Sequence, residues 1–158
     1  TRCLSDWSSD VCSSDLAPVI IVDCGTATKV DAVSAEGVFL GGAIMPGVAI
    51  ASEALHSRAS RLPRVPLARA EIRAIGRSVP ESLLAGLFLG GAGAIDGVVR
   101  RIKGVLGNEA AVVATGGLSP LFLHLSDEIE VHDAFLTLDG IAEVAQSRSN
   151  PDAAFLGP

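Results

Sequence analysis

From Ala17 onward short apolar runs alternate with turn residues, and the spacing predicts the elements directly. Pro18 to Asp23 (PVIIVD) is an apolar run closed by Asp23-Cys24-Gly25, the signature of a buried strand rather than a helix. Thr28 to Ser34 (TKVDAVS) alternates apolar and polar positions, Glu36-Gly37 supplies a turn, and Val38 to Ile44 (VFLGGAI) resumes a strand that ends at Pro46-Gly47. Three short strands joined by tight turns make an antiparallel meander, with residues 23 to 28 at its first connection.

After Pro46 the spacing becomes helical. Val48, Ala51, Leu55 and Ala59 recur at three and four residues within 47 to 61, and Leu62-Pro63 and Pro66 stop that helix. Ser78 caps a longer helix with Glu81 as its capping-box partner; it runs through Leu83, Leu87, Ile95, Val98 and Ile102 to Gly104 and Gly107. Its apolar stretch, Leu83 to Ile95, stops at Asp96 and is too short for the ~30 Å hydrocarbon core of a bilayer, so it reads as a buried helix. Its glycines at 86, 90, 93 and 97 predict close backbone packing on the sheet or on another subunit. AAVVATGG is a strand entering a turn at Gly116-Gly117, residues 118 to 125 a short helix, EIEV a strand, and Leu136 to Arg148 a final amphipathic helix. The order βββαα then βαβα is an α/β arrangement that resembles one half of an actin-like or ribonuclease-H-like nucleotide-binding fold.

Composition changes this picture at the N-terminus. Thr1 to Leu16 holds five Ser, three Asp, the single Trp and two of the three Cys, but none of the 17 Gly. It shows neither apolar period, and Asp6 to Leu16 resembles the conceptual translation of a short-read sequencing adapter. Residues 1 to 16 are therefore an artefactual or disordered leader, 17 to 148 the folded subdomain, and 149 to 158 a loose tail. The whole chain of 158 residues carries a net charge of -6; without the leader it carries -4. An acidic chain with no Lys/Arg-rich run lacks the electrostatic footprint of a nucleic-acid or membrane-surface binder.

The chemistry concentrates in Asp23-Cys-Gly-Thr-Ala-Thr28. A strand-end carboxylate followed by a Gly-Thr turn offers backbone N–H groups and hydroxyls to phosphate oxygens, beside a charge that binds a cation; an ordinary hairpin with an Asx-type turn has the same outline. Downstream, in order, stand Gly41-Gly42-Ala-Ile-Met-Pro-Gly47, Arg61-Leu62-Pro63, Gly76-Arg-Ser78, Ala114-Thr-Gly-Gly117 and Leu136-Thr-Leu-Asp-Gly140. The series resembles the type III pantothenate kinases over essentially all of residues 17 to 158, and five motifs in order are specific where one is weak.

The resemblance implies ATP-dependent phosphorylation of pantothenate to 4'-phosphopantothenate, the first step of coenzyme A biosynthesis, by a cytoplasmic homodimer with ATP and pantothenate as its partners. It implies that Asp23 holds a monovalent cation, potassium or ammonium, and that Mg2+ enters with ATP. Gly25, Thr26, Ala27 and Thr28 then form the first ATP-binding turn, Thr115, Gly116 and Gly117 line the nucleotide's other side, and Ser78 and Val79 fall at the pantothenate position. Asp31 matches the end of the first motif.

Two positions depart from the family pattern. Lys29 stands where a small polar residue is usual, adding a cation that either assists anion binding or displaces the monovalent ion. Val79 replaces a threonine, so a substrate hydroxyl contact is absent unless Ser78 supplies it, a loss of about 1 to 3 kcal/mol. The family's first phosphate loop and its catalytic base, carried on another half-fold, have no counterpart in this sequence, so no catalytic residue is expected here and the chain reads as an inactive second half. The alternative is a non-catalytic nucleotide-binding regulatory homologue. His56, His124 and His132 have no metal-ligand spacing, Cys24 reads as a buried inert thiol, and Arg100, Arg101 and Lys103 read as a solvated helix end.

Overall fold

The computed structural model describes residues 17–59, 61–68 and 71–149, so the expected leader and most of the expected tail lie outside the described residues. Five strands and three helices follow in the order β1 (Val19–Cys24), β2 (Ala27–Val33), β3 (Phe39–Pro46), α1 (Val48–Arg58), α2 (Val79–Leu106), β4 (Ala111–Thr115), β5 (Val131–His132) and α3 (Leu136–Ser149). They form a mixed α/β fold with one sheet, in the order β3-β2-β1-β4-β5. The meander β1-β2-β3 is antiparallel as its turn residues predict, whereas β4 pairs parallel to β1 and β5 parallel to β4. The sheet therefore changes character at β1, and the turns that leave β1 and β4 emerge at the same end.

Alternation sets which side chains go where. Ile20, Val22 and Cys24 of β1 and Val30 of β2 are buried and share one core with Val112 and Ala114 of β4. Leu87, Ala92, Ile95 and Val99 of α2 pack into that core, and Phe122 closes it, with its ring centroid 6.2 Å from that of Phe88. Each of the larger of these side chains, such as Ile20, Leu87 or Phe122, contributes about 1.5 to 3 kcal/mol when removed from water. Asp23 and Lys29 alternate with the core positions and so stand on the opposite face of the sheet.

The helix starts as expected. Ser78 Oγ accepts from the Glu81 amide at 3.4 Å, and the Glu81 carboxylate accepts from the Arg77 amide at 2.7 Å. At its other end Gly107 takes φ +115°, a conformation only glycine adopts without strain. The helix is longer than its apolar stretch suggested: at 28 residues it is long and apolar enough to cross a membrane. One stripe of it, including Leu87, Phe88, Ala92, Ile95 and Val99, is buried. Asp96, in its middle, accepts from the Ser126 hydroxyl and, at 3.1 Å, from the Asp127 amide.

Several expectations need correction. Of the two expected packing partners the sheet is not one: Gly86, Gly90 and Gly93 have nothing within 4 Å of where a side chain would begin and Gly97 meets only the Arg101 guanidinium at 3.5 Å, whereas Gly91, against Phe122, makes the close approach. The helix expected over 118 to 125 is a single 3-10 turn, Ser119–Leu121, followed by turns, and the EIEV strand contracts to Val131–His132. The final helix forms, but Leu138, Ile141 and Val144 are exposed rather than gathered into a buried face. Arg100 and Lys103 are not simply solvated: they pair with Glu128 at 3.3 and 3.1 Å, and Lys103 also with Glu130 at 3.1 Å.

Candidate functional site

The site is built where β1 and β4 end side by side. Asp23 lies opposite Thr115 in the parallel pairing and opposite Lys29 in the antiparallel one. The β1–β2 connection closes on itself, the Gly25 amide donating to the Ala27 carbonyl at 3.1 Å. This leaves Thr26 exposed at the tip. The Leu118 amide donates to the Cys24 carbonyl at 2.9 Å, tying the turn after β4 to the turn after β1.

Two glycines allow the turns to meet. Gly116 has φ +90°, and a methyl there would come 2.5 Å from Asp23 Oδ1 and 2.7 Å from the Cys24 carbonyl oxygen. Gly47, the N-cap of α1, lies against the backbone of Gly25 and Thr26, where a methyl would also collide. The last glycine of the Gly41–Gly47 motif thus supports the first turn, a role its sequence position does not reveal. Ser119 and His132 add a further brace. Ser119 Oγ donates to the Gly116 carbonyl at 2.7 Å, and since a hydroxyl has one proton, His132 Nε2, 2.9 Å away, is then the donor to Ser119. Residues 13 apart with no shared motif carry no sequence signal for this contact.

The structure therefore brings together Asp23, Gly25, Thr26 and Gly116, with Ala27 closing the first turn, Gly117 exposed beside the second, and Thr115 paired with Asp23 but buried. It does not bring Thr28 to them. Thr28 sits on the core face of β2, 5% exposed, and its side chain lines an apolar groove of about 870 Å³ between α1 and α2 with Met45, Leu55 and Leu87. Ser78 and Val79 lie elsewhere, at the start of α2, on an open recess of about 570 Å³ shared with Leu62, Gly76 and Ser82. Ser78's hydroxyl is engaged as the helix cap.

Charge at the site is set by one pair. Lys29 Nζ lies 3.0 Å from Asp23 Oδ2, and this hydrogen bond and the carboxylate's charge raise the lysine's pKa above the ordinary range. Asp31, next on the same face of β2, acts in the same direction. Cys24, buried and beside Asp23, has its thiol pushed up to about 11, first by burial and then by the neighbouring carboxylate, so it stays protonated and inert. A free potassium or ammonium ion added at Asp23 Oδ2 would sit beside a lysine ammonium already in place. Two like unit charges 4 Å apart repel by about 4 kcal/mol at the effective dielectric of a protein surface. This donor set does not fit a free monovalent cation while Lys29 holds that oxygen. Among the described residues no cluster of three or more His, Cys, Asp or Glu could hold a metal ion.

Comparison with known proteins places this geometry in a lineage. The family profile described as type III pantothenate kinase matches residues 11–101. A type III pantothenate kinase of Desulfatibacillum aliphaticivorans is 47% identical over 132 residues, covering 84% of this chain and 51% of the relative. One of Thermomicrobium roseum is 50% identical over 125 residues, covering 79% and 48%. A crystal structure of a Campylobacter jejuni protein described as a Baf family transcriptional activator superimposes with a TM-score of 0.59 at 19% identity, over 90% of this chain and 67% of that one, which bears on the fold alone. The chain spans about half the length of the curated relatives it matches. With a family match over more than half its residues, the chain belongs to the type III pantothenate kinase family.

Proposed function

We propose that this chain is the nucleotide-side half of a kinase that phosphorylates pantothenate to 4'-phosphopantothenate, the entry to coenzyme A biosynthesis, working as a cytoplasmic homodimer. One observation carries the reading: the Asp23–Thr26 turn and the Thr115–Gly117 turn are joined by the Leu118–Cys24 hydrogen bond and by a side-chain-free approach at Gly116. Two glycine turns leaving adjacent strands at one sheet end suit a phosphate chain, because backbone amides can approach it closely there. The strand order, with an antiparallel meander continued by parallel strands, supports an actin-like half-fold.

In this reading Thr26 holds phosphate oxygens at the tip of the turn that Gly25 and Ala27 close, Thr115 to Gly117 border the rest of the nucleotide, and the α2 start at Ser78 and Val79 faces pantothenate. Mg2+ bound to ATP would neutralise phosphate charge during in-line transfer. The chain's own contribution is positioning, which supplies most of the catalysis in such transfers. The general base belongs to the family's other half, so the 158-residue chain alone should release no ADP in response to pantothenate.

The test is a titration of the chain with a non-hydrolysable ATP analogue and Mg2+, followed by amide chemical shifts. Shifts should concentrate at residues 23 to 28 and 115 to 118. Saturable binding with shifts confined to the α1–α2 groove would overturn the assignment.

A further inference from the structure

Asp23 and Lys29 are facing residues of a hairpin, so their ion pair is fixed by strand register rather than by chance approach of surface side chains. The pair stands at the foot of the Gly25–Thr26 turn, on the face opposite the core, with Asp23 Oδ1 turned to Gly116 and Oδ2 to the lysine. The Lys29 side chain is 45% exposed, so the ammonium is open to a ligand approaching from solvent. An ammonium has three N–H donors, of which the bond to Asp23 takes one. Asp31 adds a second negative charge nearby, so without Lys29 this corner would repel an anion.

We propose that the Lys29 ammonium is a tethered monovalent cation, built into the chain at the place where a free potassium or ammonium ion would otherwise neutralise Asp23, so that this turn is independent of added monovalent cation. Resting on the nucleotide reading above, it also donates to a phosphate oxygen of bound ATP. Tethering makes the cation's local concentration effectively fixed, which removes the need to recruit an ion from solution.

Melting of the full chain is measured in potassium, ammonium, sodium and tetramethylammonium chloride at equal ionic strength, for the wild type, Lys29→Thr and Lys29→Arg. Lys29→Gln serves as a second neutral variant in case the threonine variant does not fold. The wild type and Lys29→Arg should melt within about 1 °C in all four salts. The neutral variant should be stabilised saturably by potassium or ammonium over tetramethylammonium, by about 2 to 6 °C. Potassium-specific stabilisation of the wild type, or a neutral variant indifferent to every cation, overturns the proposal. Titration of the same set with a non-hydrolysable ATP analogue separates the two readings. The neutral variant should bind at least about tenfold more weakly in tetramethylammonium and recover in potassium, a change of 1.4 kcal/mol. Absence of analogue binding in any salt, with the melting pattern intact, refutes the nucleotide reading and leaves the tethered cation standing.

Discussion

Replacing Gly116 by alanine tests the junction of the two turns, and its cost can be worked from the structure. The residue has φ +90°, where an L side chain costs roughly 1 to 2 kcal/mol. The added methyl would also sit 2.5 Å from Asp23 Oδ1 and 2.7 Å from the Cys24 carbonyl oxygen. The carboxylate can turn away only by leaving Lys29, and the carbonyl can move only by stretching its bond to the Leu118 amide. Relieving that overlap adds about 1 to 3 kcal/mol. Against this, alanine lowers the entropy of the unfolded chain, a gain of about 0.4 to 1 kcal/mol. The net loss is about 2 to 4 kcal/mol, or a melting point lower by about 5 to 12 °C. Gly117→Ala is the internal control: the next residue is exposed, has no atom within 4 Å of the new methyl, and should change stability by less than about 0.5 kcal/mol. Differential scanning calorimetry of the three proteins decides the matter. A Gly116→Ala protein that melts with the wild type, or equal losses at 116 and 117, would refute the reasoning.

Two further perturbations probe a buried acceptor in α2 and the thiol beside the junction. Asp96→Ala removes the buried acceptor for the Ser126 hydroxyl and the Asp127 amide, and should cost about 2 to 3 kcal/mol, with hydrogen exchange accelerated first at residues 127 to 129 while the core of α2 stays protected. Unchanged protection there would show that Asp96 does not hold that turn. The folded chain keeps the Cys24 proton to about pH 11, whereas an ordinary thiol at 9.0 has lost it, so the unfolded state binds fewer protons in that window. Stability from this source is complete below pH 9.0 and falls as pH rises through 11, by about 2 to 3 kcal/mol. Denaturant midpoints from pH 8 to 11 should show that decline in the wild type and a shallower one in Cys24→Ala.

What was legible in the sequence was local. The periods of β1 to β3, the Ser78–Glu81 cap and the glycine closing α2 each depend on residues within a few positions of one another, and each formed as read. What was not legible depended on distant partners. The Gly47 contact with the first turn and the Ser119–His132 brace of Gly116 come from segments that only the sheet order makes adjacent. Residues 118 to 125 carry helical apolar spacing, yet Pro120 and the bond from Ser119 back to Gly116 confine them to one 3-10 turn and a run of tight turns. The alternation that predicts β2 also assigns its faces: with Val30 and Ala32 buried, Thr28 belongs to the core and Lys29 to the side of Asp23. Counting back from the tight Gly25–Thr26 turn places Lys29 opposite Asp23. The departure at Lys29 and the expected cation at Asp23, linked in the sequence only as neighbours of one motif, therefore concern the same pair of atoms, and a charge-changing substitution at either residue must change the charge seen by the other.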